Sequence, residues 1–89
     1  MSKYLITYDL RIPGKNYSQL ISEIKSIDPS AISPCLSVWI VSSNLTPIQI
    51  VNTLHALDAT DKLFAIELIA NWWSRGLPVE VSNALKLKL

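Results

Sequence analysis

A single carboxylate closes the first strand that the sequence predicts. Residues 3–11 are rich in aromatic and β-branched side chains, which favour a strand, and Pro13-Gly14 ends it soon afterwards. Asp9 is the only acidic residue in this segment, and it lies where the strand ends. Because binding and catalytic residues are often carried where a rigid scaffold gives way to a loop, Asp9 is the first candidate for chemistry.

Two cations follow Asp9 in a polar connection. Arg11 and Lys15 could bind a phosphate beside the carboxylate, or they could be solvated loop charges. Asp9 itself has an alternative interpretation, because an aspartate at this position can accept hydrogen bonds from backbone N–H groups of the following loop, near residues 12–14. The residue types do not decide between the two interpretations of Arg11 and Lys15, or between the two interpretations of Asp9.

Other residue types that carry chemistry are sparse. Cys35 is the only cysteine, so one chain has neither a disulfide nor a cysteine metal site. His55 lies outside the apolar stripe of its predicted helix and is interpreted as a surface residue. Tryptophans could stack on bases, but basic residues do not alternate with them, so packing in the core or in a dimer is the preferred interpretation. The three tryptophans are Trp39, Trp72 and Trp73.

The length and net charge of the chain limit the classes of protein to which it could belong. The formal net charge of the 89 residues is +1, which gives no strong electrostatic case for a nucleic-acid partner. A domain of this size buries only about 60–65% of its unfolded surface, yet 49% of the residues are apolar. A second copy would cover the excess, which predicts a homodimer. Without a signal peptide or a run of apolar residues that could span a bilayer, we expect one soluble, cytoplasmic domain over residues 1–89 that does not engage a membrane.

Helical periodicity predicts three helices. The first has apolar residues at helical spacing from Tyr17 to Ile27 and ends at Asp28-Pro29. The second begins at a capping box in which Thr46 is the N-cap and Gln49 the third helical residue. The third is expected from Pro78 to about Leu87. The residues predicted to face the core are Ile48, Val51, Leu54 and Leu57 in the second helix, and Val81, Ala84, Leu85 and Leu87 in the third.

Four predicted strands alternate with these helices, at residues 3–11, 31–34, 36–41 and 62–69. The second is short and suits a sheet edge because it contains Pro34. The second and third strands could together form a hairpin with a bend near Pro34. The order is that of an α+β, ferredoxin-like βαββαβ domain with an extra C-terminal helix. Its usual sheet places the first strand between the third and fourth, antiparallel to both. We therefore expect Ser37 close to Asp9, and Glu67 near Leu5, roughly 13 Å from Asp9.

Three short motifs occur in order along the chain. They are Tyr8-Asp9-Leu10-Arg11, Ser37-Val38-Trp39-Ile40, and Asn71-Trp72 with Arg75 to Pro78. Together they resemble motifs of the CRISPR-associated Cas-two family and its VapD relatives and, more closely, of the SinR-like small proteins grouped with them. The resemblance covers nearly the whole chain, and it implies a ferredoxin-like fold and a homodimer.

The resemblance also implies a nuclease site for RNA or DNA. Asp9 and its symmetry mate would face each other across the two-fold axis and share one Mg²⁺ or Mn²⁺, which can neutralise a phosphate and activate water. Ser37 would hydrogen-bond in this site, or would merely fill a tight strand position. The resulting hypothesis is a metal-dependent endoribonuclease in which Asp9 and Ser37 are catalytic, Asp9 binds the metal, and Arg11 and Lys15 bind nucleic acid.

The chain also departs from the family pattern in two respects. It is nearly neutral where relatives carry a basic face, and the segment from Pro78 is predicted to be a helix where relatives commonly add a strand to the partner's sheet. Both departures argue against a role in spacer acquisition. The competing class is a non-catalytic dimeric interaction or regulatory module of the same fold, for instance phage- or plasmid-encoded. In that class Asp9 is structural, so the sequence leaves open whether the protein is an enzyme.

Overall fold

A four-stranded antiparallel sheet and three helices make up the described part of the chain. The structure, a computed structural model, describes residues 1–10, 17–56 and 60–89. The elements are β1 (Ser2–Asp9), α1 (Tyr17–Ile27), β2 (Ile32–Cys35), β3 (Val38–Ser43), α2 (Pro47–Thr53), β4 (Lys62–Leu68) and α3 (Val79–Lys88). The sheet order is β2-β3-β1-β4, so β1 lies between β3 and β4 as predicted, and the α+β class is confirmed. No helix in these ranges is long and apolar enough to cross a membrane.

One face of the sheet forms the core with α1 and α2. Side chains alternate along β1, so Tyr4, Ile6 and Tyr8 point to the same face, and all three are buried. The predicted stripe of α1 packs against them, with Leu20 and Ile24 one turn apart. The largest fully buried side chains are Ile6, Leu20, Ile24, Val41 and Ile50.

The second helix begins as predicted but turns a different side chain to the core. Thr46 Oγ1 accepts the Gln49 N–H at 3.3 Å, and Gln49 Oε1 accepts the Thr46 N–H at 2.9 Å. The prediction that Ile48 is buried is wrong, because this residue is 69% exposed and Ile50 is buried instead. Residues two apart on a helix point about 200° away from each other, so only one of the two can face the sheet. The predicted core residue Leu57 lies outside the described residues.

A two-residue turn at Leu36-Ser37 joins β2 to β3. Cys35 pairs with Val38, so β2 and β3 form the predicted hairpin. The register shifts between Ile32 and Cys35, the interval that contains Pro34, near which a bend was expected. Ser37 has a φ of 61°, a left-handed conformation that an extended strand does not allow. This is why the third strand begins at Val38 and not at Leu36. Pro34 does lie in the edge strand β2, as predicted.

The register between β1 and β4 fixes the position of Glu67. Glu67 lies opposite Tyr4, and Ile66 lies opposite Leu5, so Glu67 is near Leu5 as expected but one residue further along the ladder. Glu67 is therefore five residues from Asp9 along the ladder, roughly 17 Å at strand rise. The expectation that the two carboxylates do not form a pair within one chain is unchanged.

Helix α3 covers part of the second face of the sheet. Its buried residue is Leu85, which lines the same groove as Leu5 and Ile40. The prediction that Leu87 faces the core is wrong, since this residue is 91% exposed. Leu87 follows Leu85 by two residues, so it lies on the opposite side of the helix.

Candidate active site at the end of the central strand

The end of β1 presents Asp9 to solvent. Asp9 is the last residue of the strand and is exposed. Its backbone lies opposite Lys62, the first residue of β4. On the other side of β1, the Tyr8 N–H donates to the Ser37 carbonyl oxygen at 3.3 Å. Asp9, Lys62 and Ser37 therefore lie at one end of the sheet, on neighbouring segments.

Tyr8 fixes this strand end from the core face. Its hydroxyl accepts a hydrogen bond from Trp39 Nε1 at 3.2 Å, and its ring meets that of Tyr17 edge to face at 6.3 Å between centroids. Burial, with the neighbouring Tyr17 hydroxyl, raises the pKa of Tyr8 to about 12. Tyr8 is therefore protonated at neutral pH and acts as a packing residue beneath Asp9. Trp39 is buried in the core, as the preferred interpretation of the tryptophans predicted.

The predicted site residues are only partly brought together. Ser37 lies beside the end of β1, as expected, but no hydrogen bond among the described residues joins it to Asp9. Its backbone conformation gives it a role in the hairpin turn that does not depend on chemistry. Arg11 and Lys15, the predicted nucleic-acid-binding residues, lie outside the described residues. So do residues 12–14, which the alternative interpretation of Asp9 as a loop cap requires.

Lys62 is the residue of this site that the sequence analysis missed. Both Lys62 and Asp9 are exposed, and paired positions of an antiparallel ladder project to the same face. No local signal in the sequence identified Lys62, because the register that pairs Asp9 with Lys62 is set by the packing of the whole sheet face. No ion pair between the two side chains is present among the described residues, so the structure places Lys62 beside Asp9 without joining them.

The face that carries Asp9 also exposes apolar side chains. Alternation puts Leu5 and Thr7 on this face, and the register puts Ile66 and Phe64 beside them. Phe64 is 56% exposed and Ile66 is 46% exposed. We call Leu5, Thr7, Phe64 and Ile66 the open face. Adjacent exposed apolar side chains of this kind are typical of a protein–protein interface.

Asp9 offers one carboxylate to a metal ion. In residues 1–10, 17–56 and 60–89, no group of three or more His, Cys, Asp or Glu side chains could hold a metal. Mg²⁺ often keeps several waters and binds protein through only one or two carboxylates. Asp9 fits such a site if a second chain supplies the other carboxylate.

Comparisons of the chain with protein-family models, with curated proteins and with solved structures find no match. Its function is therefore inferred from Asp9, Lys62 and the open face, together with the motif resemblance described above.

Proposed function

We propose that this chain is a Cas-two/VapD-like protein that acts as a homodimeric, metal-dependent endoribonuclease with Asp9 in its active site. A ferredoxin-like fold is part of the proposal. The sheet order β2-β3-β1-β4, with α1 and α2 packed on one face, supports that fold, and α3 would be its extra C-terminal helix.

The single observation that carries the proposal is that Asp9 and the open face share one side of the sheet. Two copies that pack through Phe64 and Ile66 would bury these side chains and bring both Asp9 residues to the same interface. Face-to-face sheets lie about 10 Å apart, a gap that two aspartate side chains and one shared cation can span. A homodimer would thus supply the second carboxylate that one chain lacks.

The chemistry follows from the residue types at this end of the sheet. The two Asp9 carboxylates would hold Mg²⁺ or Mn²⁺, hard cations that prefer oxygen ligands. When bound, the cation supplies charge neutralisation at the phosphate and an activated water. Ser37 would hydrogen-bond to the substrate phosphate. Lys62, with Arg11 and Lys15, would provide positive charge for the RNA backbone.

Cleavage assays on a mixed panel of RNA and DNA test the proposal. Wild type, Asp9→Asn and Glu80→Gln are purified side by side and assayed with Mg²⁺, Mn²⁺ or chelator. Glu80 is an exposed carboxylate in α3, so its substitution makes the same change of charge away from the site. We expect wild type and Glu80→Gln to cleave RNA, and chelator or Asp9→Asn to reduce cleavage to background while the dimer persists. Equal cleavage by all three proteins would contradict a role for Asp9, and cleavage of DNA alone would contradict a ribonuclease.

A non-catalytic dimeric module is the second candidate, and the position of Lys62 opposite Asp9 favours it. In this case the two side chains would form an ion pair in solution and fix the end of the sheet. A double-mutant cycle with Asp9→Ala and Lys62→Ala would then give a coupling energy of about 0.2–1 kcal/mol. Absence of metal-dependent cleavage together with this coupling would support the module over the enzyme.

A further inference from the structure

A groove of about 370 Å³ lies between the sheet, α3 and residues 69–77. Side chains on its sheet and helix sides are apolar, namely Leu5, Val38, Ile40, Leu68 and Leu85. Small-molecule sites are usually clefts of about 300–1,000 Å³ with a mostly apolar lining and a few polar groups. The groove falls at the small end of this range, which suits a compact ligand.

The polar groups of the groove lie on the segment that follows β4. This segment begins with a tight turn in which the Asn71 N–H donates to the Ile69 carbonyl oxygen at 2.9 Å. Gly76 has a φ of 84°, a conformation that glycine adopts without strain, and it turns the chain directly after Arg75. Arg75 and Asn71 both line the groove, so these two turns fix where a cation and an amide meet its apolar wall.

The described lining of the groove has one charged side chain. Among the described side chains that line the groove, Arg75 is a cation and none is acidic. A guanidinium group binds a carboxylate through two parallel hydrogen bonds. The half-buried Trp72 adds an aromatic surface, and Trp73, which is 93% exposed, lies at the rim.

We infer that this groove binds a small amphipathic monoanion, with the chemistry of a medium-chain fatty acid. Its apolar body would lie against Ile40, Leu68 and Leu85, and its carboxylate would pair with Arg75. Phe64 and Ile66, the more exposed part of the open face, do not line the groove, so they are left to a second copy. The inference is independent of the proposed nuclease, since it uses neither Asp9 nor Lys62.

Calorimetric titration with decanoate below its micellar concentration tests the inference, with decan-1-ol as the uncharged ligand of equal chain length. Arg75 is exposed, so we expect one decanoate per chain and about fivefold weaker binding of decan-1-ol, the upper end of the effect that an exposed ion pair provides. Arg75→Gln should weaken decanoate to the level of decan-1-ol and leave decan-1-ol unchanged. Lys86→Gln, which removes an exposed cation of α3 that does not line the groove, should change neither.

A variant that fills the groove tests whether the two ligands bind in this groove or elsewhere on the protein. Val38→Phe places a larger side chain in the groove and should weaken both ligands, with circular dichroism to check the fold. If Val38→Phe does not fold, Arg75→Gln decides alone. The inference would be overturned if decanoate showed no saturable binding, or if decanoate and decan-1-ol bound with equal affinity. It would also be overturned if Arg75→Gln left the affinity for decanoate unchanged. A decrease in the affinity for decanoate with rising protein concentration would also overturn the inference, because a second copy of the chain would then occupy the groove.

Discussion

Lys88 Nζ lies 2.6 Å from Asp28 Oδ2, and the two side chains are only 7% and 8% exposed. Asp28 follows α1, and its carboxylate also accepts the Ser42 N–H at 2.7 Å and the Ser30 N–H at 2.9 Å. One carboxylate thus connects the ends of α1 and α3 to β3. The two residues are 60 positions apart, and no local pattern in the sequence predicts their contact.

Breaking this ion pair should destabilise the protein. Lys88→Met leaves the Asp28 carboxylate buried without its cation, so we expect a loss of about 3 kcal/mol in the free energy of unfolding, measured in urea. Lys86→Met is the matched control, because Lys86 is an exposed cation on the same helix, and it should change the free energy by less than about 0.5 kcal/mol. Equal effects of the two substitutions would show that the pair contributes nothing.

The shifted pKa of the Asp28 carboxylate predicts that the stability of the protein depends on pH. Burial raises the pKa of Asp28, but the Lys88 ammonium and the hydrogen bonds from Ser42 and Ser30 outweigh burial and lower it from 3.8 to about 2. Because the folded pKa lies below the unfolded one, the contribution is present above about pH 4 and is lost as pH falls towards 2. It amounts to about 2 kcal/mol.

Urea unfolding of wild type and Asp28→Asn at a series of pH values measures this contribution. The difference between the two proteins should shrink by about 2 kcal/mol between pH 5 and pH 2. A difference that stays constant over this interval would mean that Asp28 does not titrate as the ion pair requires.

Substitutions of Ser37 distinguish a role in the hairpin turn from a role in catalysis. At a φ of 61°, glycine has no steric cost and a β-branched residue has a large one. We expect Ser37→Gly to change the free energy of unfolding by less than about 0.5 kcal/mol, and Ser37→Val to lower it by about 1–2 kcal/mol. Full cleavage activity in Ser37→Gly would exclude a catalytic hydroxyl, whereas lost activity in this stable variant would support one.

The open face should hold the proposed homodimer together. Phe64→Glu places a charge in the apolar contact, so sedimentation should show monomers, with the fold retained because Phe64 is 56% exposed within one chain. Val79→Glu is the control, since Val79 is a 72% exposed apolar residue at the start of α3. A Phe64→Glu protein that sediments like wild type would place the dimer interface elsewhere.

Local patterns were sufficient for most elements. The spacing from Tyr17 to Ile27 and the alternation of residues 62–69 each predicted their element to within a residue or two. The capping box at Thr46 predicted where α2 begins, but the apolar spacing up to Leu57 did not predict its end at Thr53. Predictions of which side faces the core were less successful, as Ile48 and Leu87 show. When a short helix has apolar residues on several sides, its sequence does not decide which side faces the core. Packing against the sheet decides this.

The sequence by itself determined the order of the elements and the place of Asp9 at the end of β1, because propensity, periodicity and capping act between residues that are close along the chain. Only the tertiary structure decided which residues meet across the sheet. A strand register is set by the packing of the whole face, and a shift of one residue turns every side chain over. That is why the pairing of Asp9 with Lys62, the position of Glu67 and the contact between Lys88 and Asp28 emerged only from the folded chain.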